Sequence, residues 1–325
     1  MVALKTTRKN DALKRRVLSF IAKYAVIILT LILVIVVSCL QKSFFTTSNL
    51  KNIMNQVAVN GIVAAAMTFV LVTGNVDLSV GSILSCACVA TALLVNAGHG
   101  AMAYFVPALF GMVIGAVSGL LMAVTRGRMG ESFLITYGMQ LLLAAVALLI
   151  SGGMYIAFNS YTGSFIQLGK GMTPFLAFLL IVVVCQLAQT YTAFGRNIMY
   201  LGANPTAAEL SGIRIPQHMI AVFSLAGLLS GFAGTVLAAR VMCAQPTTGT
   251  GYEMDAIAAC VVGGVSMTGG KGTFLNTLIG VLIIGILSNA LNLLKISTNP
   301  QFIVKGCVII LAVSLDILSQ KLERE

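Results

Sequence analysis

The chain has 325 residues, of which 58% are hydrophobic and 9% are charged, and its formal net charge is +11 at pH 7. A soluble domain carries roughly 25% charged residues, so this composition excludes a water-soluble protein and predicts an all-α integral membrane protein. Basic residues in a membrane chain mostly set orientation, so the positive charge does not indicate nucleic-acid binding.

About ten transmembrane helices are predicted, since a span needs ~20 mostly apolar residues. A basic tail, 1–19, precedes a first span that is too long for a cleaved signal peptide. Eight regular spans are predicted at 20–40, 57–73, 104–124, 132–151, 173–190, 218–240, 273–294 and 302–318, and two less regular ones at 78–97 and 255–268. With the N-terminus inside, 14 of the 20 Lys and Arg lie on the cytoplasmic side. This follows the positive-inside rule and predicts a single transmembrane domain, 20–318, with both tails, including 319–325, in the cytoplasm.

Residues 71–82, "LVTGNVDLSVGS", form the first polar segment, which interrupts an apolar stretch. Asp77 is the only acidic residue between Asp11 and Glu131, and an ionisable residue within a membrane is functional by default. Free N–H groups at a helix end can cap such a carboxylate. The segment predicts a break between two helices at membrane depth.

Residues 261–273, "VVGGVSMTGGKGT", form the second polar segment, which repeats this pattern: Gly74 matches Gly263 and Gly81 matches Gly270. Paired glycine-interrupted segments point to a substrate path, so both are predicted to be broken or re-entrant. The alternative is a pair of ordinary cytoplasmic turns. The spacing around Lys271 does not fit a phosphate-binding loop, so no nucleotide site is predicted.

The longest cytoplasmic loop, "YTAFGRNIMYLGANPTAAELSGIRIPQ", covers 191–217. Asn204 before Pro205 is typical of a helix start, because Asn caps the first turn and Pro has no N–H to satisfy. Gly212 is typical of a helix end. The loop therefore predicts a short helix that either inserts into a partner's groove or rests on the lipid interface.

The stretch 239–259 is unusually polar for this chain and lies outside in the predicted topology. Its acidic residues either cap the next helix, with Asp255 in its first turn, or meet an external partner. No catalytic constellation accompanies these stretches. The two histidines, His99 and His218, sit at predicted span ends, and the seven cysteines have no zinc-like spacing. The chain is therefore predicted to have no catalytic residue and no metal site.

Three stretches resemble the permease subunits of bacterial ribose-type ABC sugar importers, in the branched-chain amino acid/ribose permease family. "TGNVDLSVGS" looks like the family's T-G-G-I-D-L-S-V-G-S signature, and "GRNIMYLGANPTAAELSGI" is similar to its cytoplasmic coupling segment. "AQPTTGTGYEMDAIAACVVGGVSMTGGKGT" resembles its third block, and 299–313 its final span. The chain departs at Asn75 and Val76, where Gly and Ile are usual, and at Cys260, where Val or Ala is usual.

The resemblance implies an importer permease that moves a ribose-like pentose or a hexose into the cytoplasm by alternating access. It implies a second permease copy, identical or related, two ATPase subunits that hold ATP and Mg, and an extracytoplasmic sugar-binding protein. The complex would lie in the bacterial inner membrane. ATP would be hydrolysed on the partners, so no cofactor is expected in this chain.

The candidate residues fall into three sets. The substrate pathway candidates are Asn55, Asn60, Thr68, Asn75, Asp77, Ser79, Asn289 and Asn292. By the resemblance, the ATPase-coupling candidates are Gly195, Arg196, Asn204, Ala207, Ala208, Glu209, Ser211 and Gly212. The binding-protein interface candidates are Arg240, Gln245, Tyr252 and Glu253. Helix–helix hydrogen bonding is an equal alternative for Asn289 and Asn292.

Two other functions stay open from the sequence. An ion-coupled secondary transporter would use an intramembrane carboxylate, Asp77 or Asp316, as its ion or proton site. An ABC permease for another small solute, such as an amino acid or an autoinducer sugar, would share the broad fold.

Overall fold

Helices form nearly all the regular structure in this computed structural model, which describes residues 28–314 except 29, 33, 126–128, 160–163, 298–299, 302, 309 and 312–313. The helices are α1 (Thr30–Leu40, which runs past an undescribed residue), α2 (Thr47–Val72), α3 (Val80–Asn96), α4 (Val106–Val124), α5 (Met129–Ser151), α6 (Thr173–Tyr191), α7 (Ala193–Ala203), α8 (Pro205–Leu210), α9 (Ile215–Val241), α10 (Tyr252–Gly263) and α11 (Phe274–Leu293). Strands β1 (Ile156–Ala157) and β2 (Cys243–Ala244) pair antiparallel.

Six helices of the described part are long and apolar enough to cross a membrane: Thr47–Val72, Met102–Val124, Gly130–Ser151, Thr173–Tyr191, Ile215–Val241 and Phe274–Leu293. The all-α membrane class is thus confirmed. The two less regular spans are shorter than predicted, since α3 has 17 residues and α10 has 12. The spans predicted at 20–40 and 302–318 lie only partly among the described residues. Both tails and Asp316 lie outside them.

The described residues fall into two compact units, one formed by 50–282 and the other by residues up to 49 together with those from 283. In the second unit, Val37, Phe44 and Ala290 form a buried apolar cluster. Beside it, Asn49 and Asn289 exchange two side-chain hydrogen bonds of 3.0 and 2.9 Å. Buried amides in a membrane protein need such partners, so this pair stabilises the unit.

Close contact between α4 and α9 organises the larger unit. Glycines stand four residues apart along α4, at Gly111, Gly115 and Gly119, a spacing that lets two membrane helices approach closely. A methyl group at Gly115 would collide with the carbonyl oxygen of Phe223, and one at Gly227 with that of Gly111. The two backbones therefore touch where no side chain fits.

After α9 the chain turns back along α3. At one end, the Asn96 side chain donates to the Ala157 carbonyl over 2.9 Å, and Ala157 pairs with Cys243. Further on, the Gly249 N–H donates to Ser85 Oγ over 2.8 Å. Residues 243–251 thus run antiparallel to α3, and α10 starts beside the buried start of α3. A spanning helix needs ~20 residues, with a lower limit of roughly 17, so α10 with 12 residues is too short to span, whereas α3 with 17 residues is at the lower limit.

Candidate functional site

The first polar segment is a buried interruption between α2 and α3. Residues 73–79 are not helical, although α2 ends at Val72 and α3 starts at Val80. Non-helical backbone at membrane depth needs partners inside the protein. Helix α5 supplies two: Ser132 Oγ accepts the Val76 N–H over 3.2 Å, and Thr136 Oγ1 accepts the Leu78 N–H over 3.1 Å. The predicted interruption between the two helices is present, and all its residues except the half-buried Gly74 are buried, so it is not an exposed turn.

Asp77 is fully buried and directs one carboxylate oxygen toward the start of α3. Its Oδ1 accepts the Ser79 N–H over 2.9 Å and the Ser79 hydroxyl over 2.6 Å. Its Oδ2 has no hydrogen-bond partner. This arrangement is the turn that Asp favours before a helix, so Asp77 and Ser79 shape the backbone of the break.

Asn75 is 2% exposed and its amide lies between the first polar segment and α9. The amide nitrogen donates to the Thr73 carbonyl over 3.2 Å and approaches Met219 Sδ at 3.7 Å. Its oxygen has no partner among the protein atoms. A buried acceptor without a donor costs roughly 1–3 kcal/mol, so Asn75 Oδ1 is an enclosed and unsatisfied acceptor in this conformation.

The second polar segment lies directly against the first. Here α10 ends at Gly263, Gly264 follows at φ +96°, and the Ser266 N–H closes a turn with the Lys271 carbonyl over 3.1 Å. The Gly270 N–H then donates to the Val72 carbonyl over 2.8 Å. The two segments that the sequence relates by pattern are therefore hydrogen-bonded neighbours.

A cavity of about 700 Å³ opens beside this contact. Its wall combines Thr73, Gly74 and Asn75 with Thr268 of the second polar segment. The ends of α4 and α7 and the starts of α8 and α9 complete it, with Met122, Ala123, Leu201, Gly202, Ala203, Pro205, Thr206, Glu209, Ile215, Pro216 and Met219. Amide, hydroxyl and carboxylate groups share this wall with methionine and proline side chains. Such a surface suits a small hydroxylated molecule.

The short helix predicted in the 191–217 loop is confirmed as α8. Asn204 Oδ1 accepts the Ala207 N–H over 3.0 Å, Pro205 is the first helical residue, and Gly212 follows the helix at φ +84°. Helix α7 precedes it, capped by Thr192. Ala208 is 3% exposed and Leu210 is 86% exposed. Helix α8 thus anchors one small side chain and projects a large apolar one.

The ATPase-coupling candidates occupy both ends of these two helices. Gly195 is buried at the start of α7, whereas Arg196 is exposed. Asn204, Ala207, Glu209, Ser211 and Gly212 are exposed around α8. Glu209 also lines the cavity, which links this surface to the first polar segment.

Comparison with known proteins identifies the family. Residues 49–313 match the family described as the branched-chain amino acid transport system, permease component. This chain belongs to that permease family. The permease is 42% identical over 298 residues to the ribose import permease protein RbsC of Escherichia coli (strain K12), which covers 89% of this chain and 92% of that protein.

Two further relatives of the permease agree with this family membership. RbsC of Bacillus subtilis (strain 168) is 41% identical over 291 residues, or 88% of this chain and 89% of that protein. The L-arabinose ABC transporter permease protein AraH of Azospirillum brasilense is 34% identical over 302 residues, or 91% and 88%. No solved structure matches. The resemblance to ribose-type permeases is therefore confirmed.

The other pathway candidates of the permease lie away from the cavity wall. Thr68 is buried and hydrogen-bonds Thr277 over 2.6 Å. Asn55 and Asn60 are half-buried on α2. Asn289 is paired with Asn49 as described, and the exposed Asn292 accepts from Gln301 over 2.8 Å.

The stretch predicted to lie outside, 239–259, combines exposed, half-buried and buried side chains. Gln245 is exposed, and Arg240 and Tyr252 are half-buried. Arg240 donates to the Asn55 carbonyl over 3.2 Å. Glu253 is 4% exposed, accepts from Gln140 over 3.2 Å and packs on Gly81. In this conformation the Glu253 carboxylate is inside the unit and not on its surface.

Several residues of the site were missed from the sequence. Ser132 and Thr136 stand one helical turn apart on α5, a spacing that could have indicated them as partners of a broken backbone. Met219 and Gly202 carry no sequence signal of their own. Among the described residues, no three His, Cys, Asp or Glu side chains are grouped so that they could hold a metal ion.

Proposed function

We propose that this chain is the membrane-spanning permease subunit of an ABC importer that moves a monosaccharide into the cytoplasm. The observation that carries the proposal is the 42% identity to a ribose import permease over 89% of this chain. A further relative is named for L-arabinose, so the substrate class is a pentose or a related hexose. These relatives do not favour an ion-coupled transporter or an amino-acid permease.

The cavity is the proposed inner part of the sugar pathway. Its volume of about 700 Å³ falls within the range of roughly 300–1,000 Å³ that small-molecule sites occupy. A neutral sugar needs no charged anchor, and weak polar contacts let it leave. Asn75 is proposed to turn its unsatisfied amide oxygen toward the sugar, and Asp77 and Ser79 are proposed to hold the break open. Asn55, Asn60 and Thr68 are proposed to line the pathway further along α2.

The 191–217 loop is proposed to receive the movement of an ATPase subunit. Leu210 is the side chain best exposed for insertion into a groove of that partner. Movement of α8 would change the shape of the cavity directly, because Thr206 and Glu209 belong to its wall. This arrangement supports alternating access driven by ATP hydrolysis on the partner, with no catalytic site and no bound cofactor in this chain.

The proposed assembly has two permease copies, two ATPase subunits that carry ATP and Mg, and an extracytoplasmic sugar-binding protein. Each permease would contribute one transmembrane domain, 20–318, with about ten membrane-embedded helices and both termini in the cytoplasm of a bacterium. The binding protein would meet the opposite face, where Arg240, Gln245 and Tyr252 are the candidates.

Reconstitution tests this function. The permease, its ATPase subunits and its binding protein would be placed in proteoliposomes, and uptake of labelled ribose, arabinose, xylose, glucose and leucine would be measured. We expect uptake of one monosaccharide that requires ATP and is insensitive to a proton ionophore. A matched complex with a hydrolysis-deficient ATPase should be inactive. Uptake that persists without the ATPase and follows an ion gradient would contradict the proposal, as would transport of leucine alone.

A further inference from the structure

Three parts of the larger unit meet at one main-chain contact beside the cavity. The Gly270 N–H of the second polar segment donates to the Val72 carbonyl at the end of α2 over 2.8 Å. Gly202, at the end of α7, lies against both groups. A methyl group at Gly202 would stand 2.6 Å from the Gly270 nitrogen and would collide with the Val72 oxygen.

Main-chain atoms of all three parts form this contact. A methyl group at Gly269 would stand 2.7 Å from the Gly74 nitrogen and 2.8 Å from the Gly202 oxygen. One at Gly270 would stand 2.6 Å from Ala203 Cα. Real Cβ atoms essentially never approach within 3.0 Å, so no side chain fits without a shift. Closely packed interiors transmit such shifts to their neighbours.

Helix α7 also packs against α6 and α9 along its length. The Phe194 and His218 rings are stacked with centroids 6.0 Å apart, and the Asn197 amide lies 3.1 Å from His218 Nε2. Gly195 packs against the Gln189 carbonyl of α6. Helix α8, in contrast, is mostly exposed. Helices α7 and α8 are joined at Asn204, so we expect a displacement of α8 to move the end of α7. That end touches both polar segments.

We propose that Gly202 is a positioning residue through which the 191–217 loop moves the two polar segments together, by main-chain contact. The inference rests on the proposed function, because it takes this loop as the part that an ATPase subunit displaces. In the competing explanation, the movement of the loop is transmitted through α6 and α9 alone, and the hydrogen bond between Gly270 and Val72 stays unchanged.

Hydrogen–deuterium exchange on the complete complex, with and without ATP, tests the wild-type protein directly. We expect peptides covering 195–213, 71–79 and 264–273 to change their exchange together when ATP binds. A response in 195–213 without one in both polar segments would overturn the role of Gly202 and leave the proposed function standing. No response in 195–213 would overturn both.

Three alanine variants complete the test. Gly202→Ala should keep the ATP response of 195–213, lose that of both polar segments, and lower sugar-stimulated ATP hydrolysis about tenfold, within the range of measured coupling energies. Gly138→Ala, where a methyl group would meet nothing within 4 Å, should match wild type. Gly231→Ala places a methyl group 2.5 Å from the Pro107 carbonyl oxygen and disturbs α9 against α4, not against the polar segments, so it should keep their joint response.

Two outcomes of the variants would overturn the proposal: an unchanged response of both polar segments in Gly202→Ala, or the same loss in Gly231→Ala. If Gly202→Ala does not assemble, the wild-type exchange experiment still decides.

Discussion

The carboxylate of Asp77 and the backbone of Ser79 form one closed turn: Asp77 Oδ1 accepts both the Ser79 N–H, over 2.9 Å, and the Ser79 hydroxyl, over 2.6 Å. Both bonds need an acceptor at Oδ1 and neither needs a negative charge. The turn lies directly before Val80 and therefore sets where α3 begins.

The Asp77→Asn variant should accordingly keep at least half of the wild-type uptake, because its amide oxygen can accept the same bonds. Asp77→Ala leaves two buried donors unpaired, at a cost of roughly 1–3 kcal/mol each, and should reduce both the amount of folded permease and its uptake. ATP-driven uptake per folded protein distinguishes the variants. An inactive but well-folded Asp77→Asn protein would indicate that the ionised carboxylate itself takes part, as in an ion-coupled transporter.

Asn75 should influence the affinity for sugar more than the folding of the permease. Asn75→Ala removes the acceptor proposed to turn toward the sugar, and the loss of one hydrogen bond of about 1 kcal/mol should raise the KM of uptake about fivefold. Asn75→Leu also fills part of the cavity and should lower the maximal rate. Initial uptake rates over a range of sugar concentrations measure both effects. An unchanged KM in both variants would exclude Asn75 from the pathway.

The cap of α8 should be needed for coupling. Asn204→Ala removes the acceptor for the Ala207 N–H, which costs about 1 kcal/mol in a helix of only 6 residues. We expect faster proteolysis of the loop and weaker stimulation of the ATPase by the loaded binding protein. Asn204→Asp is the matched control, since aspartate caps equally well. Equal behaviour of the Ala and Asp variants would show that the cap is dispensable.

The amides of Asn49 and Asn289 should behave as a structural pair. Each single alanine variant breaks both reciprocal bonds, so a double-mutant cycle on unfolding should give a coupling of about 0.6 kcal/mol, the average for such bonds in membranes. The KM for sugar should stay constant in all three variants. A raised KM in Asn289→Ala but not in Asn49→Ala would return Asn289 to the pathway.

Local signals made parts of this structure predictable. Asn204, Pro205 and Gly212 bracket α8 because caps and helix stops act within one turn of the chain. The first polar segment was visible because a carboxylate and glycines stand within an apolar run. The family resemblance rested on these stretches because their motifs, too, are local in the sequence.

Contacts between distant segments could not be predicted in this way. The hydroxyl of Thr136 also bonds the Ser132 carbonyl of its own helix, over 2.7 Å, so the spacing of Ser132 and Thr136 fits hydroxyls satisfied within α5 equally well and does not identify residues 76 and 78 as their partners. Glu253 was expected either to cap the next helix or to meet an external partner, because it lies in an unusually polar stretch. It is instead buried by Gly81 and paired with Gln140, two residues far away in the sequence.

The short length of α10 also bears on how the chain enters the bilayer during synthesis. A helix of 12 residues rises about 18 Å, too little to cross a hydrocarbon layer of about 30 Å. It begins, moreover, with two acidic residues in its first turn. A segment this short and with two carboxylates is too polar to partition from the translocation machinery into lipid without other helices. We therefore expect residues 242–273 to enter the membrane by docking onto α3 and α11 during tertiary folding.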